Sequence, residues 1–131
     1  MLKVITDFLK ECPQLSQFNL SADFLHEECG AVSVQGMTCE PVIGQYADGA
    51  SLRQFVFAVL LRADTESLAE GKPEAFFSAV ESWLSVSVPR LEDGKTAQRF
   101  ETIKTGALAE HYYGGVRYSA VFRLIYYQKG E

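Results

Sequence analysis

An α+β domain is what this chain predicts: a central, mostly antiparallel sheet of about four to five strands, flanked by an N-terminal helix and a second amphipathic helix over about 73–86. Three stretches carry the prediction. From Ser51 to Asp64, alternate residues place Leu52, Val56, Ala58 and Leu60 on one side and Phe55, Phe57, Val59 and Leu61 on the other. Both sides are apolar through the middle, so the stretch reads as an inner strand covered on both faces. After Pro73, Phe76, Phe77, Val80, Trp83 and Leu84 recur at helical spacing and form one apolar stripe. Near the end, Val116 to Gln128 alternates again, with Val116, Tyr118, Ala120, Phe122, Leu124 and Tyr126 on a single face.

The remaining elements follow in order. Leu2, Ile5, Phe8, Leu9 and Cys12 share a helical face, and Pro13 stops that run. Phe18 to Leu25 is extended or irregular, and Ala31 to Gly36 alternates as a short strand between Gly30 and Gly36. Cys39 to Gly49 reads as a loop, because it carries Pro41, Gly44 and the Asp48-Gly49 turn signal. Asp64 to Gly71 is polar, and Pro73 suits the first turn of the helix that Pro89 closes. In that helix Trp83 is expected to be buried against the sheet. Val88 to Ala97 is a loop turning at Asp93-Gly94, followed by a half-exposed strand from Gln98 to Leu108. Gly114-Gly115 makes a hairpin turn, which His111, Tyr112 and Tyr113 are placed to lengthen.

At 131 residues the chain suits one domain, 1–131, with enough length to bury a core. Hydrophobic residues at 47% and charged residues at 22% exclude a disordered chain. No run of about 18 apolar residues is present, which argues against a spanning helix. The early acid at Asp7 argues against a signal peptide, so a soluble start in the cytoplasm is expected. Net charge is −5 but uneven: residues 1–89 hold 5 Lys/Arg against 12 Asp/Glu, net −7, and residues 90–131 hold 7 against 5, net +2. An acidic whole opposes general nucleic-acid binding, which needs a basic footprint. Unlike halves suit head-to-tail contact between copies. Cys12, Cys29 and Cys39 form no CxxC pair, which fits reduced thiols.

Strand length adds a physical constraint. The strand from Ser51 and the last strand would each span roughly 40 Å at about 3.3 Å per residue. A compact domain of this size is only about 36 Å across. Such strands must bend or run past the body, and a projecting hairpin exposes edges that a partner usually covers.

Catalytic and metal chemistry find little support. His26-Glu27-Glu28-Cys29 with Cys39 offers one close ligand pair where zinc sites usually show two. His111 among tyrosines would be the candidate general base of a small enzyme or ligand-binding domain. No GxSxG, HExxH, P-loop or GxGxxG sequence accompanies it. Five of the six tyrosines, Tyr112, Tyr113, Tyr118, Tyr126 and Tyr127, crowd the last twenty residues. Tyrosines there serve either an interface or the core under the helices.

Three segments together resemble a known family. They are Tyr46-Ala47-Asp48-Gly49-Ala50-Ser51-Leu52-Arg53-Gln54-Phe55-Val56-Phe57, Leu91-Glu92-Asp93-Gly94-Lys95-Thr96-Ala97-Gln98 and Arg123-Leu124-Ile125-Tyr126-Tyr127-Gln128. The chain resembles the small minor tail, or minor capsid, proteins of phages and prophages of Gram-positive bacteria. These in turn are similar to the tail-terminator (tail-completion) proteins of long-tailed phages. The resemblance implies an α+β fold and a homohexameric ring that stops tube growth and presents the tail to the head connector. It implies partners in a second copy, the tail tube protein and the head–tail connector, with no membrane and no specific nucleic acid. The implied location is the host bacterial cytoplasm during assembly and then the virion tail. No catalytic, cofactor or metal residue transfers, because the family is structural. A head-completion or connector-stopper role is the nearest alternative.

Candidate subunit or partner contacts are Asp48 and Arg53 around the start of the long strand, Lys95 and Gln98 after the helix, and Tyr112, Tyr113 and Arg117 at the hairpin. A ring needs one patch to meet a different patch on the next copy.

Overall fold

The stretch beginning at Ser51 becomes the inner strand expected of it, paired along both edges. A computed structural model describes residues 1–13, 19–22, 31–63, 72–112 and 115–130. Within them the chain forms helix α1 (Leu2–Leu9), strands β1 (Asn19–Ala22), β2 (Ala31–Met37), β3 (Val42–Gln45) and β4 (Ser51–Ala63), helix α2 (Lys72–Val86), and strands β5 (Lys95–Tyr112) and β6 (Gly115–Gln128). The sheet runs β1-β2-β4-β6-β5, with β3 joined to β4 as well. β1 lies parallel to β2, and every other pair is antiparallel. The fold is α+β, as the sequence predicts. Among the described residues no helix is long and apolar enough to cross a membrane.

Both helices cover one face of the sheet. There Phe57, Val59 and Leu61 of β4 meet Val32 and Val34 of β2, and Tyr118, Ala120, Phe122, Leu124 and Tyr126 of β6. Ile5 and Leu9 of α1 and Phe76, Phe77, Val80 and Leu84 of α2 close the core from above. Each such side chain contributes roughly 1.5–3 kcal/mol on leaving water. On the other face Val56, Leu60 and Ile125 are also buried, which agrees with a strand that is apolar on both sides.

An aromatic chain ties the layers. Phe57 lies 5.8 Å from Phe122 and 5.9 Å from Phe100 by ring centroids, Phe100 stacks on Phe8 at 5.8 Å, and Phe8 meets Trp83 at 4.8 Å. Trp83 is therefore a correction. It is only partly buried and packs against Phe8 of α1 at the rim rather than deep against the sheet. The loss expected for a fully buried aromatic, about 3–5 kcal/mol, does not apply in full at this position.

Several boundaries also move. The segment expected as a loop from Cys39 to Gly49 contains β3, held to β4 by Gln54, whose backbone N–H donates to the Pro41 carbonyl at 2.9 Å. The Gln54 side-chain amide adds a bond to the Glu40 carbonyl at 2.8 Å. β5 starts at Lys95 and continues through His111 to Tyr112, so His111 belongs to a paired strand backbone and not to a loop. The hairpin expected to expose bare edges does not do so along β6. From Val116 to Gln128, β6 pairs with β4 on one side, and it pairs with β5 on the other. The long strands run side by side, and among the described residues β1 is one edge strand of the sheet and β5 the other, its outer edge left open. Four register shifts interrupt that edge, as natural sheets do where a long edge would otherwise invite another strand. Cys12 is a buried free thiol and Cys39 a half-buried one. His26 to Cys29 lie outside the described residues.

Candidate assembly surface

Segments 46–57, 91–98 and 123–128 come together at one end of the sheet. Ser51 of β4, Gln128 of β6 and Lys95 of β5 form one row across three strands. Two Asp-Gly turns flank this row. In the first, Gly49 has φ +89°, its N–H donates to the Tyr46 carbonyl at 3.1 Å, and the Asp48 carboxylate accepts the Ala50 N–H at 3.0 Å. In the second, Asp93 at φ +58° and Gly94 at φ +75° close a turn in which the Lys95 N–H reaches the Glu92 carbonyl at 3.2 Å. Two successive positive φ values are the reason for Asp-Gly, since few other residues accept them.

Both turns grip the chain beyond β6. The Lys129 N–H donates to the Gly94 carbonyl at 2.8 Å. Gly130 lies so close to the first turn that a Cβ there would come within 2.8 Å of the Ala50 nitrogen, the Asp48 oxygen and the Gly49 carbonyl carbon. Segments 46–57, 91–98 and 123–128, far apart in sequence, thus build a single clasp. Tyr46 and Tyr127 add a ring contact at 6.0 Å, with Tyr46 half exposed.

The seven contact candidates divide between the two ends of the long strands. Asp48, Arg53 and Lys95 belong to the clasp end. The Asp48 carboxylate serves its own turn, Arg53 is half-buried with its Nε donating to Ser51 Oγ at 2.9 Å, and Lys95 opens β5. Gln98 is exposed at the first register shift of β5, between Ala97 and Arg99. Arg117 stands at the opposite end, half-buried, in register with Arg62 and Glu110. Tyr112 ends β5 opposite Gly115, its side chain outside the described residues, and Tyr113 lies outside them altogether. Thirteen residues of β4 separate these ends by roughly 40 Å. Two of the other late tyrosines, Tyr118 and Tyr126, turn out to be core residues. Burial, with Glu74 adding to it, raises the Tyr118 hydroxyl above its ordinary pKa.

A charged network that residue periodicity does not announce crosses the sheet face away from the helices. Arg123 of β6 donates to Glu101 of β5 through Nε at 2.9 Å and Nη2 at 2.6 Å, and to Gln54 of β4 through Nη1 at 3.1 Å. Arg99 donates to the second Glu101 oxygen at 2.7 Å. With Gln54 reaching Glu40, one polar line joins four consecutive backbone segments. The Arg123 hydrogen bonds, then the Arg99 one, hold the Glu101 carboxyl below the usual carboxylate range. A depressed folded-state pKa means the ionised form is favoured by folding, so its stabilisation is full above about pH 5 and fades as acid protonates Glu101. Glu101→Gln is expected to cost a small amount of thermal stability at pH 7, and that cost is expected to shrink as the pH falls into the acid range. Parallel melting curves of both proteins across that range check this, and a gap unchanged down to pH 3 would rule the network out as its source.

No protein-family model matches this chain, and no curated protein matches it in sequence.

Proposed function

We propose that this chain is a structural subunit of a long-tailed phage, ending the tail tube as a closed ring and supporting the junction with the head. The observation that carries the reading is the clasp: the three segments that carry the resemblance come together at one end of the sheet, where two turns flank the row Ser51, Gln128 and Lys95. Tyr112 and Arg117 stand at the far end of the same strands. A subunit with two unlike ends about 40 Å apart suits the head-to-tail contact that closes a ring.

The ring is homohexameric in this reading, and its neighbours are the tube protein on one side and the head–tail connector on the other. It carries no catalytic residue and works in the bacterial cytoplasm before entering the virion tail. An acidic subunit would also avoid gripping DNA that moves through the ring.

The experiment is a tail preparation from particles that lack this protein, viewed by negative-stain electron microscopy. Tubes of irregular or excessive length, with few heads attached, are expected. Tubes of normal length that join heads would refute the reading. Tubes of normal length that fail only to join heads would move the protein to the head-completion side of the junction.

A further inference from the structure

Beside the clasp lies a pocket of about 500 Å³ lined by Gly49, Ser51, Arg53, Gln128, Lys129 and Gly130. Among the described residues that line it, the two charged side chains are cations and none is acidic. Arg53 also lines a smaller pocket of about 220 Å³ on its other flank, with Val42, Gln45 and Tyr46. The bond from Arg53 Nε to Ser51 Oγ fixes the guanidinium on the end of β4. Among the described residues no carboxylate pairs with Arg53 or Lys129. The clasp holds the backbone on both sides of the pocket, so the cations stand on a fixed frame.

We infer that this pocket receives a carboxylate side chain from a second copy of this chain, and that it is the cationic half of the contact between neighbouring subunits. The inference rests on the ring reading and gives it a specific socket. A planar guanidinium held at one edge presents its remaining N–H groups as a fork suited to a carboxylate. The chain supplies that group in excess, since residues 1–89 carry 12 Asp/Glu against 5 Lys/Arg. A nucleic-acid backbone is the poorer occupant. It needs a track of many cations, whereas the pocket has two and the chain as a whole carries −5.

The test uses the full chain, with its mass followed by light scattering and sedimentation from micromolar concentration up to about 1 mM, at low and high salt. The wild type is expected to self-associate, less so as salt rises. Arg53→Glu and Lys129→Glu are each expected to weaken association at least tenfold with the melting temperature unchanged, and Arg53→Lys to restore part of it. Lys129 is exposed and lies past the last strand, so its variant keeps the test open if Arg53→Glu disturbs the fold. Variants that associate at the wild-type concentration overturn the socket while leaving the ring reading intact. A wild type that stays monomeric throughout overturns it as well. A variant with wild-type association but lost retention of double-stranded DNA would hand the pocket to nucleic acid. Salt-sensitive association that Arg53→Glu abolishes, in a species that is not a ring, would keep the socket and remove the ring.

Discussion

Phe57→Ala is expected to lower the melting temperature by roughly 10–20 °C, the shift that corresponds to about 3–5 kcal/mol in a domain of this length. Phe57 is fully buried at the middle of β4 and directly opposite Phe122 in the register. Its ring also lies within 6.1 Å of Phe55 and 5.9 Å of Phe100. Through Phe100 it connects to Phe8 and Trp83, so the cavity left by alanine would open where β4, β5, β6 and the helices all meet. A well-packed site with partners on so many elements relaxes little, which puts the cost toward the top of the range for such substitutions. Phe57→Leu keeps most of the volume and should lose less than half as much. Thermal unfolding followed by circular dichroism decides it. A Phe57→Ala protein melting within about 3 °C of the parent would mean that the centre of the core lies elsewhere.

The same residues explain what sequence reading can see in this fold. β6 alternates over 14 residues, β4 is a 13-residue strand apolar on both faces through its middle, and the α2 stripe recurs from Phe76 to Leu84, so pattern alone finds them. β5 is harder. Its four register shifts break the alternation, leaving Ile103 exposed where a regular strand would bury every second residue. The regular pattern therefore reaches only from Gln98 to Leu108, while the strand runs from Lys95 to Tyr112. β3 is hidden for a different reason. Four residues that include Gly44 and follow Pro41 have turn composition, and it is their pairing with β4, through Val42–Arg53, Gly44–Leu52 and Gln45–Ser51, that makes them a strand.

The candidate surface divides in a similar way. Both Asp-Gly turns are legible locally, because positive φ demands such residues. That the turns meet at Lys129 and Gly130 depends on β6 lying between β4 and β5, which no local pattern encodes. The Glu101–Arg123 pair spans 22 residues and forms across the β5–β6 register, which no local sequence pattern encodes. Trp83 shows the opposite error. A helical stripe says which side of a helix faces inward, but not which of its members sits at the stripe's centre: Leu84 is buried, while Trp83 beside it packs on Phe8 at the rim.

Gly130 offers the sharpest test of the clasp. Replacing it with valine would bring a Cβ within 2.8 Å of three backbone atoms of the turn at 48–50. Backbone cannot yield the several tenths of an ångström that a flexible side-chain tip could, so the terminal segment must move off the turn. Nothing in the core depends on that segment, since the buried residues of β6 end at Tyr126. Gly130→Val is therefore expected to open the clasp without unfolding the sheet. Hydrogen exchange reads this directly, because the Ala50 and Lys129 amides donate to Asp48 and Gly94 within the clasp. Their exchange should quicken on the order of tenfold or more, while the amides of Phe57 and Val59 keep their protection. Unchanged exchange at Ala50 and Lys129 would show that the turn and the terminal segment do not hold each other. Quickened exchange throughout β4 would show that the clasp also holds the sheet together. If the clasp is the surface that meets a neighbouring subunit, the same variant should lose self-association in step with its loss of protection, because the Arg53 and Lys129 cations would no longer share a fixed frame.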